Sequence, residues 1–208
     1  HAAWCKPGLM GGHDGARVIH WPGLDCHHDD GLRVVQVVTS LQVGGAERVA
    51  WELHRLLPGC GVDSCMVTLG RPLRQTLPAP ENWIDLAGMN RAQRAAAMKR
   101  IVDGFGADLI HAHLIDVDEA RAYKYCGVPL VMTVHNTRAG WPAGLETLQP
   151  GEADMLLACT RHAEMEIREA LPWMPTRIVW NGIDTTQPAV VEPGPRSGEV
   201  VTLISVAN

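Results

Sequence analysis

Arg33-Val-Val-Gln-Val-Val-Thr-Ser40, continued by Leu41-Gln-Val-Gly-Gly-Ala-Glu-Arg48, is the stretch that decides the fold. The first part is a run rich in β-branched side chains. Such a run marks a strand covered on both faces, as in a parallel sheet. Two glycines then make a turn. From Ala46 to Leu57, the apolar Val49, Ala50, Leu53, Leu56 and Leu57 recur at helical spacing,. Pro58-Gly59 stops that helix,. Strand, glycine turn and helix together form one β-α unit.

Outward from this unit the alternation repeats. Strands are predicted over Asp63–Leu69, Asn82–Leu86, Asp108–His113, Pro129–His135, Asp154–Cys159 and Thr176–Trp180. Helices are predicted over Arg91–Phe105, Asp116–Tyr125 and Arg161–Leu171, with a loop holding a possible helical turn over Trp141–Gly151. Alternating strands and helices imply right-handed crossovers and a doubly wound, Rossmann-like parallel α/β sheet. Ligands in such sheets bind beyond the carboxyl ends of the strands.

The flanks read differently. Residues 1–31 hold five of the ten histidines and no sustained period, so an irregular arm is expected. Within it, Cys26-His27-His28-Asp29-Asp30 contains metal-ligand types,. Adjacent ligands on an irregular segment rarely converge, so a solvated arm is the favoured reading. Residues 32–180 form the expected Rossmann-like domain. Residues 181–198 read as a linker rich in Pro and Gly,. Residues 199–208 open with another strand, expected to begin a truncated second domain, because a strand needs partners. An open edge there is compatible with a homodimer.

Eighteen Lys and Arg against 23 Asp and Glu leave a net charge of −5 in 208 residues. That balance argues against a nucleic-acid partner. The composition, with 46% hydrophobic and 20% charged residues, is that of a globular protein,. No segment is apolar enough to span a membrane, and no leader is visible. The six cysteines form no CxxC pair and are read as reduced thiols of the cytoplasm, with a Cys60–Cys65 bridge as the alternative,.

Four clusters carry candidate chemistry. Ser40 to Gly45 ends the first strand: Gly44 and Gly45 permit close backbone approach, and the next helix offers free N–H groups to a phosphate or sugar oxygen. The other reading is a turn that needs glycine. His111-Ala-His113 ends the fourth strand, and alternation puts both imidazoles on one face. A structural role is the alternative for either; a metal is a third and weaker one. His135-Asn136-Thr137 ends the fifth strand, with hydroxyl-reading or turn chemistry. Arg91 and Arg94 share a helix face behind a plausible N-cap at Asn90. That basic face suits an anionic membrane surface or a phosphorylated acceptor, or is simply solvated. G-x-S-x-G, GxGxxG and P-loop patterns are absent,.

Four segments in order, Val37–Arg48, Ala107–His113, Val131–Asn136 and Arg177–Asp184, resemble the amino-terminal domain of a retaining family 4 glycosyltransferase with the two-domain GT-B fold. The resemblance implies an acceptor-binding half, with a nucleotide-sugar donor held by a second domain. The acceptor would be a sugar, a lipid-linked molecule or a small molecule. It implies no metal and no cofactor beyond the donor substrate. By the same resemblance His113 is the catalytic imidazole that contacts the transferred sugar. Ser40, Gly44, Gly45, His111, His135 and Asn136 are substrate-side residues, with His111 expected to be packed. The family's donor-side basic residues and paired glutamates find no counterpart here, so little activity is expected of this chain alone. A GT-B sugar-nucleotide epimerase and a non-enzymatic binding domain are the alternatives. The expected place is the cytoplasm, including the inner membrane face.

Overall fold

Residues 31–73 and 76–182 are described in a computed structural model. The arm over 1–30, its Cys26–Asp30 cluster, most of the 181–198 linker and the strand expected from residue 199 lie outside the described residues. The elements run β1 (Leu32–Val38), α1 (Gly45–Leu56), β2 (Val62–Thr68), β3 (Trp83–Asp85), α2 (Arg91–Phe105), β4 (Leu109–His113), α3 (Val117–Tyr123), β5 (Leu130–Val134), β6 (Met155–Ala158), α4 (Arg161–Ala170) and β7 (Thr176–Ile178). Every strand and helix expected between residues 32 and 180 is present, with ends shifted by one to two residues.

All pairings are parallel, in the order β3-β2-β1-β4-β5-β6-β7. The strand order reverses direction between β1 and β4. A crevice opens at such a switch point, above the carboxyl ends of the two strands. Here Val38 of β1 stands in register with His113 of β4.

The sheet is doubly wound but unequally covered. On one face Val35, Val37, Cys65, Val67, Ile110, Ala112, Met132, Val134 and Leu156 meet α2, α3 and α4 in one apolar cluster. On the other face Val38 and Met66 pack with Ala50 of α1 in a smaller cluster. His54 of α1 is buried on that face, where Nε2 donates to the Glu81 carbonyl (2.7 Å) and Nδ1 accepts from the Ser64 hydroxyl (2.8 Å).

Local signals explain the helix ends. Asn90 caps α2 in a reciprocal capping box with Gln93, as its position suggested,. Pro58 and Gly59 do not terminate the chain's turn at once: a 3-10 turn, Leu57–Cys60, follows α1, and the left-handed residue that ends it is Gly61 (φ 75°). Cys65, Cys126 and Cys159 are free and buried, which excludes a Cys60–Cys65 bridge.

The basic face of α2 is largely neutralised. Arg94 makes a two-pronged contact with Glu119 (2.8 and 2.6 Å), a buried carboxylate that also accepts from the Tyr123 hydroxyl (2.9 Å). Burial pushes the Glu119 carboxyl up, but these bonds and Arg91 outweigh it and hold it below its usual range. Arg91 reaches Asp116 and Asp118, and Lys99 pairs with Asp103. The acids lie on α3 or one turn away, and they take up the charge expected for a membrane or phosphate. No helix among the described residues is long and apolar enough to cross a membrane.

Candidate functional site

The carboxyl ends of β1, β4, β5 and β6 bring the sequence-predicted residues to one end of the sheet. At the end of β4, His111 and His113 share a face, with ring centroids 4.2 Å apart. His113 is fully buried. Its Nδ1 meets Nε2 of His135, just past β5, at 3.0 Å, and its Nε2 meets Oε1 of Gln36 in β1 at 3.0 Å. His111 Nε2 bonds the Thr133 hydroxyl at 2.7 Å. His135 is only partly buried, and its Nδ1 lies 3.6 Å from the Cys159 sulfur, which in turn contacts Oδ1 of Asn181 at 3.2 Å. The result is one chain of polar contacts, in the order Gln36, His113, His135, Cys159, Asn181, with the Cys159 thiol proton directed to Asn181.

Burial disfavours charge on all three imidazoles. His111 is pushed down to about 4 by burial and by His135, and His135 to about 4 by burial. His113 is held well below its ordinary value by burial first and by its two neighbours second. At neutral pH the string is therefore uncharged and depends on tautomers. Burial also pushes the Cys159 thiol up, so it is no nucleophile,.

His113 was expected to touch substrate. In this structure both of its nitrogens are engaged, and the half-buried His135 is the imidazole nearer the rim. His111, expected to be packed, lies against the His113 ring and bonds the Thr133 hydroxyl. Directly after His113 the chain turns at Leu114 in the left-handed region (φ 57°), a conformation that costs a non-glycine residue about 1–2 kcal/mol,. The turn delivers Asp116, which caps α3 by accepting from the Glu119 N–H (2.7 Å).

The glycine loop reaches the same end. Gly44 is the N-cap of α1, with extended backbone. A Cβ on Gly44 would collide with Oε2 of Glu47. The helix N-terminus thus already faces a carboxylate of its own first turn, which any incoming anion must displace. Gly45 is exposed, and a Cβ there would meet nothing. Ser40 is buried, and its hydroxyl accepts from the Gln42 N–H (3.2 Å), so it shapes the loop. Asn136 is exposed and donates from Nδ2 to the Gly140 carbonyl (3.0 Å), closing the turn that carries Arg138 over Trp141. Both residues do turn chemistry here.

Three participants were not singled out from sequence: Gln36, Thr133 and Cys159. A signal existed for Gln36, a lone amide inside an apolar strand. A hollow of about 660 Å³ lies elsewhere, between Trp83, Ile84 and Met89 near β3 and Arg100 and Phe105 of α2. It holds none of the expected site residues. Among the described residues, no group of three or more His, Cys, Asp or Glu is arranged to hold a metal.

Comparison with solved structures places this sheet among GT-B glycosyltransferases. It resembles sucrose-phosphate synthase from Thermosynechococcus elongatus (TM-score 0.54, 14% identity, 72% of this chain and 48% of that one). It is also similar to an alpha-glucosyltransferase solved with UDP and a 13-mer DNA (TM-score 0.51, 12% identity, 74% and 43%). A glycosyltransferase from Rickettsia africae gives a TM-score of 0.51 at 12% identity, over 74% and 44% of the two chains. The chain spans about half the length of these structures. The profile of Glycosyltransferase Family 4 matches residues 43–187, and the chain belongs to that family. No curated protein matches the sequence.

Proposed function

We propose that this chain is the acceptor-binding half of a retaining glycosyltransferase that moves a sugar from a nucleotide diphosphate sugar to a sugar, lipid-linked or small-molecule acceptor. The observation that carries the reading is that the loop bearing Gly44 and Gly45 leaves the carboxyl end of β1, whose neighbour β4 ends in His113, bonded in turn to His135 past β5, at the point where strand order reverses. Backbone N–H groups at the start of α1 face donor phosphate or acceptor once Glu47 turns aside. His135 meets the sugar or acceptor, and His113 stands behind it, neutral and fixed. Asn136 and its turn line the acceptor side. On this reading the donor-binding half lies outside these 208 residues, which alone transfer little or no sugar. The net charge of −5 supports a small or lipid-linked acceptor over a nucleic acid,. The expected place of action is the cytoplasm or the inner membrane face.

The test is sugar transfer by the full-length protein, with product anomers read by NMR. His113→Ala lowers turnover at least about tenfold, the low end for a positioned acid–base or hydrogen-bonding group. Turnover close to wild type would remove His113 from the mechanism. Release of an epimerised nucleotide-sugar without any acceptor would replace transfer by epimerisation.

A further inference from the structure

Gln36 occupies an unusual place. It lies mid-strand in β1, between valines, and is 1% exposed. Burying a side-chain amide costs free energy unless it is bonded. Its bond is to His113 Nε2, 77 residues away in sequence, across the switch between β1 and β4. A carbonyl oxygen accepts and cannot donate. His113 must then carry its proton on Nε2, which leaves the lone pair on Nδ1. The Nδ1 neighbour, His135 Nε2 at 3.0 Å, must be the donor. A neutral His135 protonated on Nε2 keeps its own lone pair on Nδ1, in van der Waals contact with the Cys159 sulfur, whose proton goes to Asn181 Oδ1. One amide oxygen in β1 thereby sets the tautomers of two imidazoles on β4 and β5.

We infer that Gln36 is a positioning residue that locks His113 in the Nε2–H tautomer and, through it, fixes which nitrogen of His135 is basic. The amide does this without charge. A carboxylate at the same place would draw a proton onto His113 and put a cation inside the sheet, against the burial that keeps these rings neutral,. The consequence for turnover rests on the proposed sugar-transfer site; the tautomer does not.

The experiment is long-range ¹H–¹⁵N correlation on the histidines of the unmodified chain at pH 7.5, with Gln36→Met and Gln36→Glu alongside. The wild type shows His113 and His135 both as Nε2–H. Gln36→Met, similar in size but without an acceptor oxygen, loses the single His113 tautomer. Gln36→Glu keeps a proton on His113 Nε2. In the full-length protein Gln36→Met lowers kcat about fivefold with KM for the donor within about twofold. Wild-type His113 protonated on Nδ1, or Gln36→Met with an unchanged tautomer, overturns the inference. If Gln36→Met does not fold, the wild type and Gln36→Glu decide by the same criterion. Absence of sugar transfer with the tautomers as stated would instead defeat the proposed function and leave Gln36's role standing.

Discussion

The two faces of the sheet carry different contents. One is roofed by α2, α3 and α4 over a single apolar cluster running from Val35 to Leu156. Among the described residues the other carries α1 alone, and along β1, β4 and β5 it buries Gln36, His113 and Thr133. An apolar layer is forgiving of electronics and sensitive to volume. A buried polar string is the reverse: each member needs its partner, and protonation of one disturbs the rest. The first face holds the domain together, while the second spends part of that stability on a defined arrangement of nitrogens.

Among single groups, changes on the packed face should bring the largest losses of stability. Leu156→Ala empties a fully buried position in the main cluster. It is expected to cost about 3 kcal/mol in urea unfolding, while the imidazole tautomers stay as they are. Disturbed tautomers would mean that the two faces are not separable.

Acid should attack the polar face next. His111 and His135 take protons only near about 4 in the folded chain, against about 6.5 when unfolded,. The contribution is complete above pH 6.5 and is lost as pH falls towards 4, since only the unfolded chain accepts protons in that window. At pH 5 the loss is on the order of 2 kcal/mol per imidazole. Unfolding free energies at pH 7.5 and pH 5 test this, and equal values would show that the string is solvated.

The smallest effect is expected at the loop that borders the polar face. Glu47→Gln keeps the side chain over Gly44 but removes its charge. If the proposed donor site holds, binding of a nucleoside diphosphate by the full-length protein tightens by about threefold, within the range of a single charge at a helix N-terminus. Unchanged affinity in a titration would place the nucleotide away from this helix.

Much of this architecture is legible in the residues. β-Branched runs announce parallel strands, and the position of Asn90 announces a helix start. His111 and His113 at one strand end give the centre of the candidate site. What sequence reading misses are relations across long separations. The acids that neutralise Arg91 and Arg94 lie 25 to 27 residues further on. Cys159 lies 24 residues from His135, and no local pattern links the two. Glu47 over Gly44 is close in sequence, but its side-chain direction depends on how the helix begins. Tertiary placement, and not propensity, decides these contacts.

The string of contacts also has a long reach. It begins in β1, the first strand of the domain, and ends at Asn181, beyond β7, having crossed β4, β5 and β6 on the way. A residue just past the sheet's last described strand and an amide in its first strand thus stand at the two ends of one row of polar contacts.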